Sequence, residues 1–171
     1  MKTFIISALT ADGYIGKHSL HAAMWTSKED KKRFVEITKR AGVIVMGQNT
    51  WKTLGKPLKD RLNIVYSPTP IEGAGEGALA NVEITTKNPK ELLKELEDRG
   101  FKEVAICGGS QIYTMFMKTG MIDALYLTME PVVFGDGMRL FKEDMNFKLK
   151  LVSSVVTENG SLLLEYHVVR P

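Results

Sequence analysis

The chain lacks the features that mark several classes of protein. One cysteine, Cys107, among 171 residues excludes an internal disulfide and a zinc site built on cysteines. No apolar run approaches the length of a membrane span, and the apolar stretch over residues 1–9 is too short for a signal peptide with its cleavage site. We therefore expect a soluble, cytoplasmic protein without membrane contacts, in which the thiol of Cys107 is buried.

A concentration of charge is also missing. The net charge of +3 comes from basic residues spread along the chain, without the basic run that marks nucleic-acid-binding proteins. His18 and His21 have no evident third metal ligand, so they are interpreted as loop residues and no metal site is expected. A composition of 44% hydrophobic and 25% charged residues is that of an ordinary globular protein, and the length predicts one domain over residues 1–171.

The chain does contain short apolar runs that alternate with helical patterns, which predicts an α/β fold with a mostly parallel, twisted central sheet and flanking helices. The predicted strands are Thr3–Thr10, Val43–Met46, Asn63–Ser67, Val82–Thr85, Glu103–Ile106 and Ala124–Glu130. The runs Leu149–Thr157 and Ser161–Val169 flank Asn159-Gly160, which predicts a C-terminal antiparallel hairpin. The glycine-rich residues 68–80 are expected to form a flexible surface loop.

Asp30 lies in a helix predicted to begin near Ser27 and to stop at Gly42. Phe34 and Ile37 follow it on the same helical face, so its carboxylate is expected to face inward, with no obvious basic partner on that face. Removing a carboxylate from water costs free energy unless a polar group forms a hydrogen bond with it. Asp30 therefore either serves a polar ligand or forms a capping box with Ser27, and the two roles are compatible.

Two glycine turns join the end of a strand to the start of a helix, at Gly47-Gln48-Asn49-Thr50 and at Gly108-Gly109-Ser110-Gln111. Exposed backbone N–H groups at a helix N-terminus favour phosphate, and glycine allows its close approach. Two such turns at the carboxyl ends of strands suit a dinucleotide, although neither is the Rossmann fingerprint.

Several motifs occur together in the order of a known family. They are Ala8-Leu9-Thr10-Ala11-Asp12-Gly13-Tyr14-Ile15-Gly16, Trp25 with Asp30 and Phe34, Val45–Trp51, Gly55–Leu58, Arg61–Ile64, Gly108–Tyr113 and Tyr126–Thr128. Through them the chain resembles the dihydrofolate reductases and the wider superfamily that includes the reductases of riboflavin biosynthesis. The resemblance covers nearly the whole chain.

This resemblance implies the reduction of 7,8-dihydrofolate to tetrahydrofolate by hydride transfer from NADPH, and hence an antifolate target in one-carbon metabolism. Its implied catalytic group is Asp30, which binds the pterin, together with Thr128, which backs it, and Trp25. The residues that line the substrate are implied to be Ile6, Ala8, Asp30, Phe34, Leu54 and Thr128, with Arg61 pairing with the glutamate carboxylate of folate.

The resemblance also implies the residues that bind the cofactor and a cis peptide bond between Gly108 and Gly109. These residues are Ala8, Ile15, Gly16, Gly47, Gln48, Asn49, Thr50, Ser67, Cys107, Gly108, Gly109, Ser110, Gln111 and Ile112. Gln48 stands where NADPH-dependent relatives commonly carry arginine, so NADH is not excluded. Lys52, Lys87 and Arg99 are candidates to compensate for the missing charge.

Residues 131–141 resemble the riboflavin-pathway reductases as much as the folate enzymes. The alternatives are therefore a reductase of a ribosylaminopyrimidine phosphate and a non-catalytic nucleotide-binding module of the same fold. The presence of both Asp30 and Arg61 favours a pterin substrate with a glutamate tail over the pyrimidine phosphate. The expected partners are this small-molecule substrate and no nucleic acid, in a monomer or a homodimer.

Overall fold

The computed structural model describes residues 1–170, which fold into ten strands, four α-helices and one short 3-10 turn at Gly77–Leu79. The strands are β1 (Lys2–Thr10), β2 (Tyr14–Gly16), β3 (Val43–Gly47), β4 (Leu62–Tyr66), β5 (Val82–Thr85), β6 (Glu103–Ile106), β7 (Ala124–Glu130), β8 (Met138–Arg139), β9 (Lys148–Val156) and β10 (Leu162–Val169). The helices are α1 (Lys28–Ala41), α2 (Gln48–Leu54), α3 (Pro89–Asp98) and α4 (Ser110–Met117). None of these helices is both long and apolar enough to cross a bilayer.

Eight strands form one sheet in the order β5-β4-β3-β6-β1-β7-β10-β9. The six strands from β5 to β7 run parallel, since helices cross between them, whereas β10 is antiparallel to both β7 and β9. The predicted α/β class, the mostly parallel sheet and the C-terminal hairpin are confirmed. The carboxyl ends of β3, β6 and β1 meet at one edge of the sheet.

Side chains that alternate along each strand supply two separate cores, one on each face of the sheet. Ile5, Val45 and Ile106 pack with α3 and α4 on one face. Phe4 and Met46 pack with α1 and α2 on the other. Because both faces are covered, the central strands are almost entirely apolar, as parallel strands usually are.

The predicted limits of α1 agree with its caps. The hydroxyl of Ser27 accepts a hydrogen bond from the Asp30 N–H at 3.1 Å, and Gly42 ends the helix with φ of 73°. That left-handed conformation favours glycine. The start of α3 is capped by the side chain of Asn88, which accepts from the N–H of Lys90 at 2.9 Å.

A two-stranded ribbon of β2 and β8 was not predicted. Its strands are only three and two residues long, which is too short for a period to be recognised in the sequence. They pair because Gly137 lets two backbones approach: a Cβ atom there would collide with the carbonyl oxygen of Gly16. The ribbon brings residues 131–139 beside the loop that follows β2.

Candidate active site

The carboxylate of Asp30 does not complete the capping box that the sequence allows. In a full box it would bind the N–H of Ser27. That N–H instead donates to Oε1 of Glu130 at 2.8 Å. The hydroxyl of Ser27 still caps the N–H of Asp30, so the cap exists without the Asp30 side chain, whose carboxylate remains available for another partner.

Glu130 is a second carboxylate in this region that the sequence reasoning missed. It lies at the end of β7 with only 2% of its surface exposed. Its oxygens accept from the N–H and hydroxyl of Ser27, at 2.8 and 2.7 Å, and from the hydroxyl of Ser161 at 2.5 Å. All three donors are neutral. An acid at the end of an otherwise apolar strand was the signal that could have found it.

Burial raises the pKa of the Asp30 carboxyl above its ordinary value of 3.8. Hydrogen bonding by the hydroxyls of Thr128 and Thr26 opposes this shift, and the negative charge of Glu130 adds to it. The structure therefore brings Thr128 to Asp30, which is the pairing that the resemblance implies. The site combines a half-buried acid, a neighbouring buried acid and two hydroxyl groups.

One basic residue on the Asp30 face was overlooked in the sequence. Arg33 lies one turn after Asp30 and is half-buried. Its guanidinium donates to the carbonyl oxygens of Leu127 at 2.9 Å and Leu164 at 2.7 Å, so it fastens α1 to β7 and β10. Arg33 thus has backbone partners of its own.

Apolar side chains of the predicted substrate set lie on the face of the sheet that carries Asp30. Ile6 is 5% exposed, and the half-buried Phe34 and Leu54 pack against the same core. Ala8 and Thr128 are direct partners in the pairing of β1 with β7. The predicted set is therefore brought together on strands β1 and β7 and helices α1 and α2.

Arg61 is buried rather than solvent-exposed, with 7% of its surface accessible. Its Nε donates to the carbonyl of Lys59 at 2.9 Å, and one terminal nitrogen donates to the hydroxyl of Thr38 at 2.7 Å. Burial lowers the pKa of this guanidinium. No acidic side chain within residues 1–170 forms an ion pair with it, which leaves donors of its fork for an anionic ligand.

The two glycine turns meet at the carboxyl ends of the adjacent strands β3 and β6. The N–H of Gly47 donates to the carbonyl of Gly108 at 2.7 Å. The peptide bond between Gly108 and Gly109 is cis, which confirms that expectation. Neither turn leaves room for a larger residue: a Cβ atom on Gly47 would lie 3.1 Å from Ile112, and one on Gly108 would lie 2.9 Å from the ring of Tyr113.

The helices that follow these turns begin without a side-chain cap. Gly47 is the N-cap of α2 and Gly109 is the N-cap of α4, and neither has a side chain to accept from the first N–H groups. The positive ends of two helices therefore converge at one edge of the sheet. Such an arrangement suits the phosphate groups of a dinucleotide.

The sequence singled out Tyr113 only as the end of the motif Gly108–Tyr113. In the structure its hydroxyl donates to the carbonyl of Ile6 at 2.8 Å, and its ring packs beside Gly108. Burial raises the pKa of this phenol, so it remains a neutral donor. Tyr113 thus joins the predicted cofactor turn to a strand of the predicted substrate site.

The remaining residues of the predicted cofactor set do not all face the same way. Ser67 is buried and its hydroxyl donates to the carbonyl of Thr69 at 2.6 Å, while Gln48 donates to the Thr69 hydroxyl at 3.0 Å. The hydroxyl of Ser110 donates to the carbonyl of Arg139 and holds β8 in place. Gln111 is exposed and lines a surface cavity of about 540 Å³ with Asn88, Lys90 and Lys118.

Cys107 is half-buried, where the sequence predicted a buried thiol. Its sulfur donates weakly to the carbonyl of Ala105 at 3.6 Å, and burial raises the pKa of the thiol. The thiol is therefore neutral and unreactive at physiological pH.

Two of the candidates for compensating charge are already paired. Arg99 makes two hydrogen bonds to the carboxylate of Glu83, at 2.8 and 2.9 Å, and Lys87 is paired with Glu95. These partners reduce the positive charge that either side chain offers to a phosphate group. Lys52 is exposed on α2, one turn after Gln48.

The loop from Lys17 to Met24 packs through aromatic rings. The ring of Phe134 contacts His21 and Trp25, with centroids 5.6 and 5.1 Å apart, and His21 also contacts His18. His21 lies in a loop, as predicted, and these rings leave it half-buried. The Nε1 of Trp25 is buried without a hydrogen-bond partner in residues 1–170. A buried orphan donor of this kind calls for an acceptor from water or a ligand.

Comparison with known proteins decides the family. The family model described as dihydrofolate reductase matches residues 2–159. The chain belongs to the dihydrofolate reductase family. It is 32% identical to the dihydrofolate reductase of Bacillus subtilis over 151 residues, which cover 87% of this chain and 80% of that enzyme.

Solved structures of two kinds share the fold. The dihydrofolate reductase of Enterococcus faecalis, solved in complex with NADP(H), has a TM-score of 0.74 at 26% identity and covers 98% of this chain and 96% of its own. A putative riboflavin biosynthesis protein of Shewanella has a TM-score of 0.80 at 24% identity and covers 99% of this chain and 100% of its own. The fold is thus shared with a dihydrofolate reductase and with a putative riboflavin biosynthesis protein.

The electrostatics of Asp30 generate a prediction on stability. Since its pKa is raised in the folded protein, ionised Asp30 lowers the free energy of unfolding above the ordinary carboxyl pKa, and this penalty disappears in acid below it. Asp30→Asn should therefore raise the free energy of unfolding at pH 7, by roughly 0.5–2 kcal/mol. The gain should vanish near pH 3.5, as measured by urea denaturation at both pH values.

Asp12→Asn is the control of opposite sign. The hydroxyl of Thr10 and the N–H groups of Phe134 and Gly135 lower the pKa of Asp12, so its ionised form stabilises the fold at neutral pH and this contribution is lost in acid. Asp12→Asn should be less stable than the wild type at pH 7. Equal effects of the two substitutions would contradict the electrostatic description.

The close approach at the glycine turn generates a second prediction. Gly108→Ala should lower the free energy of unfolding by roughly 2–4 kcal/mol, because φ is 108° and the new methyl group would overlap the ring of Tyr113. Gly120→Ala is the matched control, with φ of 71° and no atom within 4 Å of the new Cβ. This control should lower the free energy of unfolding by only about 1 kcal/mol. Thermal unfolding of both variants would reveal the difference, and equal losses would contradict it.

Proposed function

We propose that the protein reduces 7,8-dihydrofolate to tetrahydrofolate with NADPH. The observation that carries this proposal is Asp30, a half-buried carboxylate whose possible role as a cap is taken by Glu130. A carboxylate left free in this way fits the amino group and ring nitrogen of a pterin, which present two adjacent donors.

The pKa shift of Asp30 supports its role in this reaction. Ionised Asp30 accepts both hydrogen bonds of the pterin and stabilises positive charge on the ring as the neighbouring nitrogen takes a proton from water. The hydroxyls of Thr128 and Thr26 hydrogen-bond the carboxylate and oppose the rise in its pKa that burial and Glu130 cause. Trp25, five residues earlier, contributes a buried N–H that has no acceptor among residues 1–170.

The walls of the site fit the remainder of the substrate. Ile6, Phe34 and Leu54 supply apolar surface for the pterin and benzoyl rings. Arg61 is buried, held by Thr38, and lacks an acidic partner within residues 1–170, so it suits the carboxylate of the glutamate tail. A ribosylated pyrimidine phosphate has no such carboxylate.

The cofactor site is proposed at the two glycine turns. Gly47 and Gly108 leave no room for a Cβ atom, and the starts of α2 and α4, which have no side-chain cap, offer N–H groups to phosphates. Bound there, NADPH supplies the hydride. Ala8, Ile15 and Gly16 are assigned to the nicotinamide side and Ser67 to the adenosine side. The neutral Gln48 gives little selection for the 2′-phosphate, so NADH should also be accepted.

The test is the loss of NADPH absorbance with dihydrofolate as substrate. Wild type should turn over, and Asp30→Asn should lose roughly 10²–10⁴-fold in kcat/KM, the range for a group that assists proton transfer. The same assay with a ribosylaminopyrimidine phosphate tests the riboflavin-pathway alternative. Turnover of that compound alone would overturn the proposal, and cofactor binding with no turnover of either compound would indicate a non-catalytic module.

Arg61 gives a prediction that concerns the substrate alone. Arg61→Lys keeps the charge but loses the planar fork, so the KM for dihydrofolate should rise roughly 10- to 100-fold while the KM for NADPH changes little. The control is a reduced pterin without the glutamate tail, for which the substitution should leave KM unchanged. An equal rise in KM for both substrates would show that Arg61 acts only through the fold.

A further inference from the structure

Two carboxylates compete for the first residue of helix α1. Asp30 stands three residues after Ser27, the spacing at which an acidic side chain can accept a hydrogen bond from the N–H of the cap residue. Glu130 reaches the same N–H from the end of β7, at 2.8 Å, and also accepts from the hydroxyl of Ser27 at 2.7 Å. Glu130 therefore uses both donors of Ser27.

The place of Glu130 on β7 brings it to this cap. Side chains two residues apart on a strand lie on the same face, so Glu130 shares the face of Thr128, whose hydroxyl bonds to the Asp30 carboxylate. Met129, between them, packs with the core on the opposite face. One face of β7 thus presents both a partner for Asp30 and a competitor for its cap.

A second contact fixes the carboxylate of Glu130. Its Oε2 accepts from the hydroxyl of Ser161 at 2.5 Å, in the connection between β9 and β10. Ser161 is completely buried, and its own oxygen accepts from the side-chain amide of Asn159 at 3.0 Å. Glu130 therefore cannot turn away from Ser27 without leaving buried donors unpaired, which is costly.

The cap and a ligand would compete for Asp30 if Glu130 did not reach Ser27. The free N–H of Ser27 would then need an acceptor, and the Asp30 carboxylate has the spacing to complete the capping box. An oxygen that binds this N–H is lost to a ligand with two adjacent donors, which needs both oxygens of the carboxylate. Glu130 removes this competition.

Four ionisable side chains surround the Asp30 carboxylate. Lys31 and Arg33 lie on its own helix, Glu130 on β7, and the neutral phenol of Tyr113 on α4. Burial is the main cause of the raised pKa of Asp30, and the negative charge of Glu130 adds to it. A neutral group in place of Glu130 should therefore lower the pKa of Asp30, which gives an electrostatic measure of how close the two acids lie.

We propose that Glu130 is a positioning residue of the active site, which occupies both donors of Ser27 and so keeps the carboxylate of Asp30 free for the substrate. With 2% of its surface exposed, Glu130 acts through Ser27 and Asp30 and does not itself contact the substrate. The identity of that substrate rests on the proposed function, whereas the competition for Ser27 belongs to the folded chain without any ligand.

Two substitutions separate reach from charge. Glu130→Gln keeps an acceptor at Ser27 and removes the charge, whereas Glu130→Asp keeps the charge on a side chain shorter by about 1.5 Å, too short for a hydrogen bond to Ser27. In the reduction of dihydrofolate by NADPH, Glu130→Gln should retain kcat/KM close to wild type at its optimum. Glu130→Asp should lose roughly 10- to 100-fold, because its Asp30 is misplaced.

The pH profile gives a result that a merely structural role would not produce. The acid limb of kcat/KM, where Asp30 becomes protonated, should move to lower pH in Glu130→Gln and stay in place in Glu130→Asp. Asp123→Asn is the matched control: it removes one acid beside the other end of β7, roughly 23 Å from Glu130, where Asp123 accepts from the N–H of Thr3. This control should leave the profile unchanged.

Measurements without substrate or cofactor separate this inference from the proposed function. A carbon-13 NMR titration, with the Asp30 signal assigned by its loss in Asp30→Asn, should give Asp30 a lower pKa in Glu130→Gln than in wild type. A crystal structure of Glu130→Asp should show the Asp30 carboxylate on the N–H of Ser27. Circular dichroism checks the fold of every variant.

The outcomes of the two proposals are distinct. A wild type that does not reduce dihydrofolate would contradict the proposed function, while the titration and the crystal structure would still decide the role of Glu130. An unchanged pKa of Asp30 in Glu130→Gln, an Asp30 side chain that keeps its place in Glu130→Asp, or a greater loss of activity in Glu130→Gln than in Glu130→Asp would each overturn the positioning role.

Discussion

The buried carboxylate of Glu130 is the contact on which the geometry of the active site depends. Its oxygens join the start of α1, through Ser27, to the end of β7 and, through Ser161, to the C-terminal hairpin. A buried charge is tolerated only when hydrogen bonds replace its lost hydration. The three donors do so, and they fix the first turn of the helix that carries Asp30.

This arrangement separates two acids by their surroundings. Glu130 accepts the N–H and hydroxyl of Ser27, while the Asp30 carboxylate is left with the threonine hydroxyls, the negative charge of Glu130 and the positive charge of Lys31. A carboxylate placed in this way costs stability, and sites that bind or react with ligands commonly bear such costs.

Much of the fold could be predicted because it depends on local patterns. Apolar runs located the strands of the main sheet to within one or two residues, and Ser27, Gly42 and Asn88 marked helix ends through their own backbone chemistry. The ribbon of β2 and β8 could not be predicted, since it depends on the close approach of Gly137 to Gly16. Glu130 and Arg33 were missed because their partners lie more than 90 residues away.

The sequence by itself determined the family, the order of the elements and the set of residues from which a site could be built, because those follow from motifs and short-range periodicity. Only the tertiary structure decided which acid serves as the cap and which remains free, since Glu130 is within reach of Ser27 only after β7 packs beside α1. It also decided that Arg61 is buried without an acidic partner in the part of the chain described. Packing between distant segments determines how much water reaches each charged group, and this access to water determines the pKa of the group and the partners left for it.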